Sequence, residues 1–523
     1  MKKKLLPIGK QSFKGLIEDN CIYVDKTEHI YRLVTEGWYY FLSRPRRFGK
    51  SLLISTLQEL FEGNRTLFEG LWIEDKWDWS KTNPVIHISF AKIDYQGLGL
   101  ENAINQALDK CATIHGITLS ETTIKSQFEE LLKTLYEKKG KIVLLIDEYD
   151  KPIIDFLEET LLPKAKEHQQ ILKAFYSVLK DAETYLHFVL ITGVSKFSQV
   201  SIFSDLNHLT DVSLNQNYAL MLGYTQKELE YYFKEYLTQA AKQFKINRKT
   251  LLTEMREWYN GFSWDGTNTL YNPFGTLNFL SNRDFRTYWF STGTPTFLAQ
   301  LMKLQTKFEF DNISTNILRI EKYDLDNLDL TAILFQTGYL TIKKRNYRNG
   351  DIVLDYPNRE IRESMYAFML DHLKRRANNT AAQEVVKDLA LAFQQNNLNR
   401  VKDLLESMFG DLPENLYETD SRRSERFYHS FIHLTFKFLG IYINSEVATA
   451  KGYADSVVQT PTHVYIFEFK HQETAEAAMT QLLDKNYAQK YFALGKMIVG
   501  IGVNFDKTKR IIEGWEVKVL KPI

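Results

Sequence analysis

The stretch Arg44-Pro45-Arg46-Arg47-Phe48-Gly49-Lys50-Ser51 decides the fold of the first part of this chain. It follows the apolar run Tyr39-Tyr40-Phe41-Leu42 and precedes Leu52-Leu53-Ile54-Ser55-Thr56-Leu57, which has helical periodicity. A strand, a tight turn and a helix opening on Gly-Lys-Ser form a cradle for phosphate. Free N–H groups at the helix N-terminus face the anion, and the helix dipole favours its charge. Arg46, Arg47, Phe48, Gly49, Lys50 and Ser51 are therefore expected to bind a nucleotide, with Lys50 on the β/γ-phosphates and Ser51 on Mg²⁺. Arg44 stands where the general G-x-x-x-x-G-K-[ST] pattern has its first glycine, so this stretch alone also suits a structural turn.

The downstream sequence supports the phosphate reading. Pro84-Val85-Ile86-His87-Ile88-Ser89-Phe90, Lys141-Ile142-Val143-Leu144-Leu145-Ile146 and Leu186-His187-Phe188-Val189-Leu190-Ile191-Thr192-Gly193 read as buried strands. Continuous apolar runs of this length suit parallel strands covered on both faces. Helical segments at 100–138 and 169–180 separate them, which predicts an α/β domain with a mainly parallel sheet. Ligands in such sheets bind beyond the carboxyl ends of the strands. Lys50, Asp147 and Thr192 all fall at such ends. Asp147 is expected to hold Mg²⁺ and Glu148 to activate water; Thr192 or Ser195 would sense the γ-phosphate. The bland alternative is a solvated acidic loop after a strand.

Around this domain, Cys21-Ile22-Tyr23-Val24 reads as a short strand, with Asp25 or Thr27 capping the helix that follows. Thr225-Gln226-Lys227-Glu228 is a capping-box start for aromatic-rich helices. Residues 326–356 read as a helix and a β-hairpin turning at Asn349-Gly350, a winged-helix-like module. Residues 360–410 are helical and charged. A second α/β core follows: a helix at 424–439, strands at 441–447, 454–459 and 464–469, a helix at 475–494, a strand at 496–503 and an edge strand at 515–520.

Within that second core, Asp455 precedes Glu468-Phe469-Lys470 by one turn, at Thr460-Pro461-Thr462. The two-residue period of a strand puts Glu468 and Lys470 on one face, and pairing brings Asp455 beside them. Asp455 and Glu468 would hold Mg²⁺ or Mn²⁺ and lower the pKa of a bound water. Lys470 would orient that water and stabilise charge developing on phosphorus. Glu425 is a candidate third carboxylate. Gln481 and Lys485, one helical turn apart, are candidates to face the same cleft. The bland alternative is an ordinary Glu–Lys pair on an exposed edge. His429, His433, His463 and His471 have no zinc-like spacing with cysteine.

Composition bounds the class without choosing a substrate. The 523 residues carry 66 Lys and Arg against 65 Asp and Glu. Any nucleic-acid surface must therefore be local. Two distant cysteines, Cys21 and Cys111, fit a reducing compartment. Met1-Lys2-Lys3-Lys4-Leu5-Leu6-Pro7 begins like a signal peptide, but its apolar run stops at once. No apolar run reaches 18 residues, so a cytoplasmic protein without membrane contact is expected.

Taken together, these motifs resemble those of bacterial AAA-ATPase-like proteins fused to a C-terminal PD-(D/E)XK nuclease-like domain. The resemblance covers almost the whole chain. It rests on Tyr23-Val24-Asp25-Lys26-Thr27, the Arg44–Ser51 stretch, Leu145-Ile146-Asp147-Glu148-Tyr149-Asp150-Lys151-Pro152, Thr192-Gly193-Val194-Ser195 and Ser201-Ile202-Phe203-Ser204-Asp205-Leu206-Asn207. It continues in Trp258-Tyr259-Asn260-Gly261-Phe262, Tyr271-Asn272-Pro273-Phe274 and Leu334-Phe335-Gln336-Thr337-Gly338-Tyr339-Leu340. The Arg-Pro-Arg-Arg variant belongs to that family. Relatives often carry Gly-Arg-x-Asp in the nuclease-like part, where this chain has Gly452-Tyr453-Ala454-Asp455 and lacks the arginine.

The resemblance implies an α/β multidomain protein. Its parts are a P-loop (AAA/ASCE-like) parallel-sheet domain at 1–220, a helical and winged-helix-like middle at 221–410, and a restriction-endonuclease-like α/β domain at 411–523. The expected function is ATP binding and hydrolysis joined to metal-dependent nuclease action. The cofactors are ATP and Mg²⁺ (Mn²⁺ also at the nuclease-like site). The expected partner is nucleic acid, DNA by preference, with a homo-oligomer as a further expectation. The alternative is a nucleotide-dependent switch whose nuclease-like domain binds nucleic acid or protein without cleaving.

Overall fold

The computed structural model describes residues 3–196, 203, 208–290, 298, 301–302, 309–321, 325, 328–373, 381–410, 421–447, 455–471, 473–506 and 511–522. The chain divides into two compact units, residues 1–298 with 310–361, and residues 299–309 with 362–523.

The first unit is built on a five-stranded parallel sheet. Its strands are β1 (Tyr39–Ser43), β2 (Val85–Ser89), β3 (Ile142–Asp147), β4 (Leu186–Gly193) and β5 (Thr210–Asp211), in the order β2-β3-β4-β1-β5. All six residues of β3 are buried, as its unbroken apolar run requires. Registry sets Ser43 beside Gly193, and Ser89 beside Asp147. The carboxyl ends of β1, β3 and β4 therefore finish together, with the helix Lys50–Phe61 leaving β1 through the Arg44–Ser51 turn.

Two local expectations change. The 21–24 segment makes only an isolated bridge between Leu5 and Cys21. Its side chains are instead shared between two cores: Cys21 and Tyr23 pack with the sheet, and Ile22 and Val24 with the helices after residue 225. The next helix, Thr27–Glu36, has Lys26 at its cap position, while Asp25 accepts from the Thr27 N–H.

The Thr225 capping box forms and opens the helix Gln226–Tyr232. Three more helices follow, Lys234–Phe244, Arg248–Tyr259 and Pro273–Asn282. Their core is aromatic, with Phe279 and Phe285 rings 4.4 Å apart. Beyond them, the helix Leu330–Thr337 leads into the hairpin β7 (Thr341–Arg345) and β8 (Asp351–Asp355). An unforeseen strand, β6 (Ile313–Asn316), pairs on the other side of β8.

The second unit holds β9 (Asn444–Val447), β10 (Ser456–Gln459), β11 (His463–His471), β12 (Met497–Asp506) and β13 (Ile511–Lys521). Their order is β13-β12-β11-β10-β9; β11 and β12 are parallel and the other pairs antiparallel. The helix Ala475–Asp484 joins β11 to β12. It stops ten residues short of the expected end, where Asn486 takes a left-handed backbone (φ 50°) and a 3₁₀ turn, Gln489–Leu494, continues. β9 starts at Asn444 because residues 441–443 turn back onto the end of the helix Ser421–Leu439. β13 is longer than expected, at eleven residues.

Candidate functional site

The turn after β1 needs no glycine at its start. Its left-handed residues are Arg47 (φ 66°) and Gly49 (φ 97°), whereas Arg44 keeps a negative φ. The Arg44 side chain is 1% exposed and points into the unit's interior. It donates to the carbonyls of Ser43 (2.8 Å), Ser213 (2.6 Å) and Tyr218 (3.4 Å), and its guanidinium lies 4.2 Å from the Trp264 ring. The neighbouring residues are held as closely. A Cβ on Gly338 would meet Pro45 at 2.7 Å, the Trp289 indole donates to the Arg46 carbonyl at 3.0 Å, and Phe48 sits between Phe262 and Trp264. The Arg-Pro-Arg-Arg variant is thus a set of packing contacts to residues 213–339 of the same unit. Arg46 and Arg47 are exposed, with Arg47 over the Phe274 ring.

Lys50 is buried and donates to the carbonyls of Arg44 (2.8 Å) and Pro45 (3.0 Å). Burial lowers its pKa, opposed by Glu148, Asp147 and Asp150. Asp147 is buried and accepts from the Thr192 hydroxyl at 2.6 Å. Glu148 has a left-handed backbone (φ 54°), a conformation that a non-glycine residue holds only under strain. Burial raises its carboxyl pKa, and Asp147 and Asp150 add to the shift. Arg46, Arg47, Phe48, Gly49, Lys50, Ser51 and Glu148 line one cleft of about 390 Å³. Its far wall is apolar, with Tyr23, Val24, Leu222, Tyr224, Phe274 and Leu277. Asp147 and Thr192 stand behind it, facing each other.

This arrangement fits a nucleotide. The left-handed Gly49 opens the helix N-terminus, a lysine lies beneath it, and an apolar wall continues from the phosphate end. Ser51 and Asp147 are placed where they could hold a divalent cation beside it.

Sequence reasoning missed three buried polar groups in this part of the unit. Asp150 accepts from the Val194 and Ser195 N–H groups (3.0 and 2.6 Å) and from the Ser195 hydroxyl (2.7 Å), tying β3 to β4. Ser195 is thereby committed to Asp150. Lys196 is buried between Asp211 (2.6 Å) and Glu321 (2.8 Å). Lys26 lines the cleft while paired with Glu228 at 2.6 Å. Asp150 was visible as the third acid of Asp-Glu-Tyr-Asp; the lysines depend on partners far along the chain.

The second unit assembles the other set. Ser456 pairs with Phe467, so Asp455 stands next in register opposite Glu468. Asp455 Oδ2 accepts from the Phe469 N–H at 2.8 Å. Glu468 is 3% exposed; Gln481 donates to its Oε1, and its Oε2 is buried with no hydrogen-bond partner among the described residues. Burial, then the charge of Asp455, pushes its carboxyl up to about 7, opposed by Lys470 and Lys485. Lys470 shares the Glu468 face and lies 3.5 Å from Glu473 Oε1. The alternate residues Phe467 and Phe469 pack against Phe436 on the opposite face. Gly502 is β11's neighbour at Glu468, and a Cβ there would meet the Ala475 carbonyl at 2.4 Å. Its absence lets the helix carrying Gln481 lie close on the sheet. Tyr487, also missed, has its pKa raised by burial and then by both carboxylates.

Two carboxylates side by side, one with an orphaned buried oxygen, fit a divalent cation. Among the described residues no group of three or more His, Cys, Asp or Glu side chains forms a metal cluster. Glu425 lies on the helix Ser421–Leu439, but its side chain, like those of His429 and His471, is outside those described, as are Gly452, Tyr453, Ala454 and most of 201–207. His433 lies 3.2 Å from Glu309, and the His463 ring bonds Thr462 at 2.8 Å. No helix of the described residues is long and apolar enough to cross a membrane.

The fold and sites define a multidomain α/β protein in which a P-loop sheet and a nuclease-like mixed sheet occupy one chain. Residues 7–203 match the family described as Predicted AAA-ATPase, and residues 423–515 match the PD-(D/E)XK nuclease superfamily. An "Uncharacterized protein in vnfD 5'region" from Azotobacter chroococcum mcd 1 is 38% identical over 99% of this chain and 100% of its own length. The chain belongs to the AAA-ATPase-like family and carries a PD-(D/E)XK nuclease superfamily domain at its C-terminal end.

Proposed function

We propose that this protein binds and hydrolyses ATP and cleaves phosphodiester bonds of nucleic acid, DNA by preference, with a divalent metal. The proposed division of labour runs from an ATPase part (1–220) through a helical, winged-helix-like middle (221–410) to a nuclease-like part (411–523), working in the cytoplasm. The observation that carries the cleavage reading is Glu468. It is a buried carboxylate with one oxygen unpartnered among the described residues, opposite Asp455 and on the Lys470 face.

In this reading Asp455 and Glu468 hold Mg²⁺ or Mn²⁺, which when bound supplies charge neutralisation and a water of lowered pKa. Gln481 fixes the Glu468 carboxylate. Lys470 places a positive charge where oxygen charge develops on the scissile phosphate. In the first unit, the N–H groups of residues 48–51 and Lys50 hold phosphate oxygens. Lys50 exchanges its two carbonyl partners for them. Ser51 and Asp147 hold Mg²⁺, Thr192 keeps Asp147 oriented, and Glu148 takes a proton from the attacking water.

The test is cleavage of linear and circular DNA, and of RNA, by wild type and Lys470→Ala, with Mg²⁺ or Mn²⁺, with and without ATP. Cleavage by wild type alone is expected, and its ATP dependence reads the coupling. Equal cleavage by both proteins would remove the site assignment. Absence of cleavage under every condition, with ATP-dependent association intact, would replace this reading by a nucleotide switch that binds without cutting.

A further inference from the structure

Among the described residues β13 is an edge strand in the order of its sheet. The unpaired N–H and C=O groups of an edge strand template another strand, and proteins usually blunt them with charge or bulges. Irregularities in the β12 pairing lie at both ends of β13, between Gly514 and Ile512 and between Val519 and Lys521. They leave residues 514–519 as a regular window. Within it Val517 and Val519 are 43% and 54% exposed, on the same face as half-buried Trp515. The other face carries Glu516 and Lys518.

We infer that this window pairs antiparallel with the same window of a second copy of the chain, about a two-fold axis at Val517. Such an axis, perpendicular to the sheet, sets residues of like face opposite one another. Val517 then meets Val517, Trp515 meets Val519, and Glu516 meets Lys518 twice over. Apolar groups fall on one face and reciprocal opposite charges on the other, the combinations that stabilise cross-strand pairs. An axis moved to Glu516 or Lys518 would set like charges opposite. A separate observation points to the same register: Glu516 Oε2 is buried without a hydrogen-bond partner among the described residues, and Lys518 of the partner subunit would stand across from it. The pairing joins two five-stranded sheets. It sets the two Asp455–Glu468 sites on one face, five strand spacings or about 24 Å apart.

The experiment uses the full chain. Sedimentation of wild type at about 50 µM is expected to show a dimer, with either Glu516→Lys or Lys518→Glu raising the dissociation constant about tenfold, on the scale of a like-charge pair. The double reversal should restore it, which a general loss of folding would not. Val517→Cys is expected to crosslink between copies with a short bis-maleimide, faster than Ile114→Cys, which is exposed in the first unit. The native Cys21 and Cys111 are buried and give a low background. A monomeric wild type, a double reversal no better than the singles, or equal crosslinking at 114 and 517 would each overturn the inference.

Discussion

The two sheets of this protein treat their acidic groups in opposite ways. At the end of β3, Asp147 and Asp150 are satisfied from β4 and the two residues after it, by the Thr192 hydroxyl and by the N–H groups of Val194 and Ser195. Lys50 is likewise held, on the carbonyls of its own turn. Within β11, Glu468 faces Asp455 with one oxygen on Gln481 and the other without a partner among the described residues. The first site is a framework set by internal hydrogen bonds, so a ligand must exchange bonds to enter. In the second, burial and Asp455 oppose ionisation of Glu468, an opposition that a cation would relieve. If that contrast is functional, variants at the two sites should fail in different ways.

The largest effect is expected at the charged site. Lys470→Ala should reduce metal-dependent cleavage about 10³-fold, the scale of losing one electrostatic stabiliser, with nucleotide affinity unchanged in a fluorescent-nucleotide titration. A parallel loss of nucleotide binding would break the contrast. Lys50→Ala comes next: nucleotide affinity should fall about 100-fold, since a buried cation on phosphate is lost, while metal binding at the second site, followed calorimetrically, stays at its wild-type value.

Arg44→Gly sharpens the comparison by restoring the glycine of the general pattern. If Arg44 were merely a tolerated departure, the change would be neutral. Its three carbonyl bonds and its Trp264 contact predict instead a loss of about 3 kcal/mol, visible as a lowered denaturation midpoint. The reason is that a glycine returns no donor to the buried carbonyls of Ser213 and Tyr218.

These contacts mark what the sequence could carry. β1, β3 and β4 were legible because strands buried on both faces show as unbroken apolar runs. Gly49-Lys50-Ser51 and Asp147 were legible as candidates because they stand where those runs stop. Glu468 and Lys470 were legible through strand alternation alone. Arg44 was not: its partners Ser213, Tyr218 and Trp264 are more than 160 residues away, and no local pattern encodes them. The 21–24 segment misled for a related reason, since an apolar run specifies burial but not a paired neighbour. Gly502 carried no signal at all, because its value is the room it leaves for the Ala475 carbonyl.

The smallest expected effect is the most direct reading of the opposed ionisation. Burial and the charge of Asp455 push the Glu468 carboxyl up to about 7 in the folded protein, from an ordinary 4.5. Between these values the folded state holds a proton that the unfolded state has released, so stability falls as pH rises through that window. Glu468→Gln removes the titration and keeps the amide within reach of Gln481. In metal-free buffer this variant should therefore gain roughly 2 kcal/mol over wild type at pH 8, with little difference at pH 4.5. Denaturant midpoints at the two pH values measure it. A gain of the same size at both would mean that packing, not charge, distinguishes the two side chains. No gain at pH 8 would mean that Lys470 and Lys485 already neutralise Glu468, and the difference between the two sheets would lose its electrostatic basis.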